Sequence, residues 1–294
     1  MERTKKPTVL EVFEPWGRSI AEALERSGRE SIEAEVAFWA ARAGRYDERN
    51  SLARSAPQVV QRVTQLVAPG ASVLEIGAGT GEFTLPVARR AGPVTALDLS
   101  SHMLGALREK ARQAGVENVT LVEADWEETD LAPHDVVLAV NSLYRLREPR
   151  QALEKILRCA SQRGILVRSV GANPPAPPEA RQRFGPDRYP RASDHEFLLD
   201  GLAALGVSPT VEILDVRRTY RFDSVEEAAS ACLPWPHPTA EERDIACHLV
   251  RDTMAAEEPA GTVTYQYPGQ VAVIWWSSTT RCPPGLASRM VGSC

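Results

Sequence analysis

The 294-residue chain has few cysteines, and no two of the five (Cys159, Cys232, Cys247, Cys282 and Cys294) stand in CxxC spacing. An odd, scattered set argues against a disulfide framework or a cysteine-based zinc site, and it suits a reducing compartment. Positive charge is also short. With 34 Lys and Arg against 39 Asp and Glu, the net charge of −5 opposes a broad electrostatic grip on nucleic acid or an anionic membrane. Long apolar runs are missing too. VAVIWW at 271–276 is far below the roughly 20 residues that cross a bilayer, and it reads as a buried strand. The N-terminal stretch MERTKKPTVLEVFEPW lacks the continuous apolar core of a signal peptide. These absences lead to the expectation of a cytoplasmic protein with neither nucleic acid nor membrane as partner.

What is present is an alternation. Residues 1 to about 70 read as helical, with Ile32, Val36, Trp39 and Ala43 on one face, and Pro57 suited to the first turn of a further helix. From residue 73, short apolar runs alternate with amphipathic segments: VLEI (73–76), VTALDL (94–99), VTLVEA (119–124), DVVLAV (135–140) and GILVRSV (164–170). Strands this uniformly apolar, joined by helical crossovers, predict a parallel sheet covered on both faces, an α/β doubly wound fold. The Pro- and Arg-rich stretch 171–193 breaks the pattern and is expected to be a loop. A helix over DHEFLLDGLAALG and a long strand over 210–222 follow. Ser224-x-x-Glu227 and Thr239-x-x-Glu242 both satisfy the helix capping pattern and flank the stiff loop CLPWPHP. Residues 281–294 show no periodicity and are expected to form a poorly ordered tail.

The stretch VLEIGAGTGEFT (73–84) places Gly77, Gly79 and Gly81 between a strand and a helix start. Such a turn offers backbone N–H groups and a helix N-terminus to a ligand. A Walker loop requires a lysine after its last glycine, whereas Glu82 and Phe83 follow Gly81. A dinucleotide fingerprint, G-x-G-x-x-G, requires glycine where Glu82 stands counted from Gly77, or Thr84 counted from Gly79. A carboxylate at 82 also suits an anionic pyrophosphate poorly.

The observed G-x-G-x-G, preceded by Glu75, resembles motif I of the class I S-adenosylmethionine-dependent methyltransferases. The resemblance runs over about residues 73–170 and implies a mostly parallel seven-stranded sheet. It implies that Glu75, Gly77, Ala78, Gly79 and Gly81 contact S-adenosyl-L-methionine. Asp98, with Leu99 beside it, would bond the ribose hydroxyls. Asp125 and Trp126 would meet the adenine, and Asn141 in Asn141-Ser142-Leu143-Tyr144 would lie beside the methionine moiety. FWAARAGRYDE resembles the segment before the core in small-molecule members, which implies that Tyr46 closes over the cofactor. The product would be S-adenosyl-L-homocysteine.

Methyl transfer is a direct displacement in which the protein supplies orientation and a dry pocket, so a dedicated base is optional. Tyr144, His195 and His237 are the candidate proton acceptors. No carboxylate cluster stands near 141–146, so no metal is expected. Asn173-Pro174-Pro175-Ala176 departs from the amino-methylation motif [DN]-P-P-[YF], because it follows the fifth strand and ends in alanine. His134, at the start of the fourth strand, and His102 are expected to be structural and surface residues respectively. The reading divides the chain into a helical extension or cap (1–70), a cofactor-binding core (71–222), a helical insertion forming a substrate cap (223–262), the final strand region (263–280) and the tail (281–294). The acceptor is expected to be a small organic molecule, met by Trp16, Trp39, Tyr46, Arg183, Tyr189, His195, Trp235 and His237, in a monomer or homodimer. Rival readings are an RNA or protein methyltransferase on the same core, or a cofactor binder without catalysis.

Overall fold

The protein is described by a computed structural model that covers residues 9–171, 176–185, 194–233, 235, 237–257 and 261–278. Its strands are β1 (Val73–Ile76), β2 (Val94–Asp98), β3 (Val119–Glu123), β4 (His134–Val140), β5 (Ala160–Val170), β6 (Thr210–Phe222), β7 (Ala255–Glu257) and β8 (Thr262–Ser277). Seven of these form one sheet in the order β3-β2-β1-β4-β5-β8-β6, and the short β7 pairs with β8 off this path. β1 to β5 are mutually parallel, while β8 runs antiparallel to both β5 and β6. The seven-stranded expectation holds, with β7 as an addition the sequence did not announce.

Helices cover both faces: α1 (Val9–Ser27), α2 (Ile32–Ala40), α3 (Tyr46–Asn50), α4 (Leu52–Ser55), α5 (Pro57–Leu66), α6 (Thr84–Ala88), α7 (Ser101–Gln113), α8 (Pro149–Cys159), α9 (Pro178–Phe184), α10 (Asp194–Ala204), α11 (Val225–Ala231) and α12 (Ala240–Thr253). Because successive strand residues point to opposite faces, one apolar run feeds two cores. Leu74, Val137, Ala139, Leu166, Ala272 and Ile274 meet α1, α8 and α10. Val73, Val136, Leu138, Ile165, Val271 and Val273 meet α5 and α6. The segment 9–66 is thus divided between both faces and the cavity mouth. Trp16, expected near the acceptor, is only 2% exposed and stacks on Phe13 and Phe197 inside the α1–α10 layer.

The β6–β8 hairpin is longer than the sheet needs. β5 ends its pairing at Val170↔Gln270, but β6 and β8 continue together to Phe222↔Val263. This overhang leaves the sheet at the carboxyl end of the parallel strands. It carries a third core of Tyr220, Phe222 and Val263 packed against α9, α11 and α12. Pro268, opposite Arg217, is tolerated because β8 has passed the end of β5 there and has one open edge. The 171–193 stretch contains α9; its residues 172–175 and 186–193, including Tyr189 and Asn173-Pro174-Pro175, lie outside the described residues, as does 279–294.

Both capping patterns are used, in different ways. Thr239 and Glu242 form a reciprocal capping box at α12. At α11, Ser224 accepts from Glu227 N, but the Glu227 carboxylate turns back to Asp223 N (2.8 Å). Thr239→Ala is expected to cost about 1 kcal/mol, read as faster amide exchange in the first turn of α12 with the sheet's protection unchanged. Unaltered exchange there would remove the box from the account.

Candidate active site

The strand order reverses between β1 and β4, and open α/β sheets bind ligands at such a switch point, beyond the carboxyl ends of the strands. A cleft of about 1150 Å³, its open mouth included, lies at that place. Its floor is the glycine turn after β1. Gly77, Gly79 and Gly81 all have positive φ (69°, 56° and 86°), the region where a side chain is strained. Their reasons differ. A Cβ on Gly77 would stand 2.3 Å from Ser142 Cβ, and one on Gly81 would stand 2.2 Å from Leu107 Cδ1. A Cβ on Gly79 would meet nothing within 4 Å. Gly79 therefore presents bare backbone to the cleft. Gly81 is shaped by packing against α7 and does not line the cleft, unlike the other expected cofactor residues Tyr46, Glu75, Gly77, Ala78, Gly79, Asp98, Leu99, Asp125, Trp126 and Asn141.

Asp98, at the end of β2, braces this turn. Its Oδ2 accepts from Gly79 N (2.8 Å) and its Oδ1 from Ser100 N (2.9 Å). Ser100 in turn caps α7 through Met103 N, so Asp98 is released from the capping role. Burial raises the Asp98 pKa, against the pull of those backbone hydrogen bonds. Each carboxylate oxygen retains a second lone pair for a ligand hydroxyl. Beyond β3, Asp125 accepts from Glu127 N and from Arg147 Nη2 (both 2.9 Å), while Arg147 also reaches Glu127 and Glu128. The Trp126 ring lies over Lys155 Nζ at 4.6 Å. Asn141, at the end of β4, has φ +50°, and its Oδ1 accepts from Ser169 N at 2.9 Å.

Glu75 is buried under the turn and accepts from Thr84 Oγ1 at 2.6 Å. Burial pushes its pKa up to about 8, so at neutral pH it carries a proton. The unfolded chain loses that proton near the ordinary value of 4.5. The stability linked to Glu75 is therefore fully present below about 4.5 and lost as pH rises through about 8. Glu75→Gln is expected to remove this loss. The variant should exceed the parent by on the order of 2 kcal/mol at alkaline pH, with the gap closing toward pH 5 in urea titrations. A gap independent of pH would contradict the assignment.

The wall facing the turn comes from α2 and α3, and sequence reasoning missed its centre. Glu35 is 1% exposed and lines the cleft. Its Oε1 accepts from Trp39 Nε1 (2.6 Å) and from the Tyr144 hydroxyl, and Arg29 and Arg145 flank its Oε2 at 3.4 and 3.7 Å. The face α2 turns inward is thus built on a carboxylate, with Ile32, Val36 and Trp39 only half-buried. Asp47 ties the next helix to Thr80 Oγ1 and Lys110 Nζ, both at 2.5 Å. Arg49 bonds Asp223 and Glu227 on the overhang.

Of the three proton-acceptor candidates, only Tyr144 lines the cleft. Burial, with the Glu35 charge beside it, drives its pKa far upward, so it donates to Glu35 and is a poor base. His195 lies on α10, and His237 is exposed in the loop before α12; neither reaches the cleft. Arg183 is exposed on α9, and Trp235 packs edge-on to Phe184 at 5.5 Å. His134 bonds Thr95 and the Ala132 carbonyl, and His102 is exposed. Among the described residues no group of three or more His, Cys, Asp or Glu could hold a metal, and no helix is long and apolar enough to cross a membrane.

Residues 73–164 match a family model described as a methyltransferase domain. A demethylmenaquinone methyltransferase of Clavibacter sepedonicus is 34% identical over 50% of this chain and 60% of its own length. A malonyl-[acyl-carrier protein] O-methyltransferase of Paenibacillus is 26% identical over 62% of this chain and 65% of its own. A ribosomal RNA small subunit methyltransferase A of Pyrobaculum aerophilum is 27% identical over 60% and 68%. The chain therefore spans about three fifths to two thirds of the length of these curated relatives. In fold, a candidate methyltransferase from Bacillus halodurans superposes with a TM-score of 0.51 at 16% identity, covering 76% of this chain and 99% of that one. The chain thus carries a segment, residues 73–164, that matches a methyltransferase domain, on a sheet of the same fold as the Bacillus halodurans structure.

Proposed function

We propose that the protein transfers a methyl group from S-adenosylmethionine to a small organic acceptor. The observation that carries this reading is Gly79, whose bare backbone opens on the cleft while Asp98 braces it from below. The donor set fits the cofactor. Glu35, Glu82, Asp98, Asp125 and Glu127 line the cleft beside the protonated Glu75, with Arg145 as the opposing charge. A sulfonium and an ammonium suit such walls, and a pyrophosphate does not.

In this reading the remaining Asp98 lone pairs hold the ribose hydroxyls. Asp125, Trp126 and Leu99 flank the adenine, and Gly77, Ala78 and Asn141 border the methionine end. The cofactor, when bound, supplies the activated methyl group. The protein orients, excludes water and keeps its own phenols protonated: burial lifts the Tyr46 pKa to about 12. Trp39, Tyr46 and Leu52, from the 32–55 region, roof the cleft. The cap over 223–262, helical only in α11 and α12 and ending in β7 and the start of β8, and residues 1–70 are the proposed source of acceptor contacts, with Trp16 removed to the core.

The ribosomal RNA relatives favour a second reading, RNA methylation, which the net charge of −5 opposes. Incubation with methyl-labelled cofactor and either a metabolite extract or RNA separates them. Label is expected in a small molecule. Label confined to RNA would overturn the acceptor class, and no label despite tight cofactor binding would indicate a binder without catalysis.

A further inference from the structure

Residues 124–127, just beyond β3, form one side of the cleft. Most of the hydrogen bonds that shape this loop are its own. Glu128 N and Thr129 N both donate to Asp125 O, Glu127 N donates to the Asp125 side chain, and Ala124 N reaches across to Asp98 O. The carbonyl of Trp126 is served differently, by a side chain from another element. Lys155 Nζ, on α8, donates to it at 2.6 Å and stands 4.6 Å from the centre of the Trp126 ring.

Lys155 is out of keeping with its place in the sequence. It shares the buried face of α8 with Ala152, Ile156 and Cys159, where the helical spacing asks for an apolar side chain, and it is 7% exposed. A lysine is rarely buried, because taking an ammonium out of water is costly unless it is engaged. Asp130 stands 3.9 Å away but is fully exposed, so its attraction is weak. The close partners are both parts of Trp126, the carbonyl and the indole face, and a cation over a ring is held more strongly when water is excluded. A second cation reaches the same loop from outside. Arg147 bonds Asp125, Glu128 and Glu127 at 2.9, 3.1 and 3.3 Å, but its side chain is 42% exposed, and water and salt weaken such pairs. The buried contact is therefore the one that decides where Trp126 stands.

We propose that Lys155 is a positioning residue for the cofactor. From behind the cleft wall it fixes the carbonyl and ring of Trp126, and so sets where the indole and the adjoining Asp125 meet the adenine. The inference rests on the methyltransferase reading above. Lys155 needs no access to the ligand, because it acts through Trp126.

Calorimetry with S-adenosylhomocysteine on the parent protein comes first; no binding there overturns the methyltransferase reading itself, and this inference with it. S-inosylhomocysteine, in which a carbonyl replaces the adenine amino group, is then titrated as a probe of the adenine end. The parent is expected to prefer the adenosyl compound roughly tenfold, the difference of one charge-assisted hydrogen bond. Lys155→Met keeps an unbranched apolar stem and removes the charge. It should bind S-adenosylhomocysteine roughly tenfold more weakly, with the preference falling toward one. Arg150→Met, at an exposed ion pair on the same helix, should match the parent in both respects. A merely structural lysine would lower the unfolding midpoint and leave the preference intact. Unchanged affinity in Lys155→Met, weaker binding with the preference kept, or a parent without any preference overturns the proposal. Lys155→Gln, which keeps a donor for the Trp126 carbonyl, decides the matter if Lys155→Met fails to fold. It should lose roughly threefold in affinity with the preference reduced, and parent-like values in both overturn the proposal.

Discussion

Replacing Asp98 with alanine is expected to weaken S-adenosylhomocysteine binding by roughly a hundredfold, the loss of two charge-assisted hydrogen bonds worth about 2.7 kcal/mol together. The same carboxylate holds Gly79 N and Ser100 N. The variant therefore also leaves two backbone donors without their acceptor, and a fall in stability of about 2 kcal/mol should accompany the lost affinity. Asp98→Asn keeps one acceptor oxygen. It should recover much of that stability while remaining at least about tenfold weaker for the ligand, because charge assistance is gone. Calorimetry and urea unfolding on both variants separate the roles. Unchanged affinity in Asp98→Ala would mean that the carboxylate only braces the turn.

The second large effect concerns two glycines two residues apart. Gly77→Ala combines a positive φ with a Cβ only 2.3 Å from Ser142 Cβ. Ser142 cannot yield easily, since its hydroxyl bonds the Ile76 carbonyl at 2.6 Å, and Gly77 N is itself bonded to Leu97 O at 2.8 Å. We expect a loss of about 3 kcal/mol, near the upper end for overpacking, with left-handed strain added. Gly79→Ala shares the strained φ but meets no neighbour. It should cost about 1 kcal/mol in stability and yet reduce cofactor affinity more than any packing effect explains, because its methyl enters the cleft. Equal unfolding midpoints for the two variants would contradict the division of labour assigned to the glycines.

The parts that were legible in the sequence are those where one residue type answers to one physical demand. Apolar runs such as DVVLAV answer to burial on both faces, and β1 to β4 were readable to within a residue, whereas β5 and β8 begin well before the apolar runs 164–170 and 271–276. The overhang was less legible. Pro268-Gly269 carries turn chemistry, and only the missing third strand beside β8 lets it continue as a ladder. Glu35 was invisible because a glutamate in a helix reads as solvent-facing; its partner Tyr144 lies 109 residues away in the chain. The sequence reading gives Gly81 to the ligand; in the structure its φ of +86° and Leu107 Cδ1, 2.2 Å from a Cβ placed there, both disfavour a side chain, and it does not line the cleft. Trp16 was placed with the acceptor because aromatics suit both cores and pockets, and only the position of α10 decides between them.

Direct calorimetry of the purified protein with S-adenosylhomocysteine and with NAD tests the central claim most directly. The account predicts saturable heat at one site per chain with the first ligand and none with the second. Heat with NAD alone would show that the turn at Gly79 cradles a pyrophosphate, and the assignment of the cleft would be wrong.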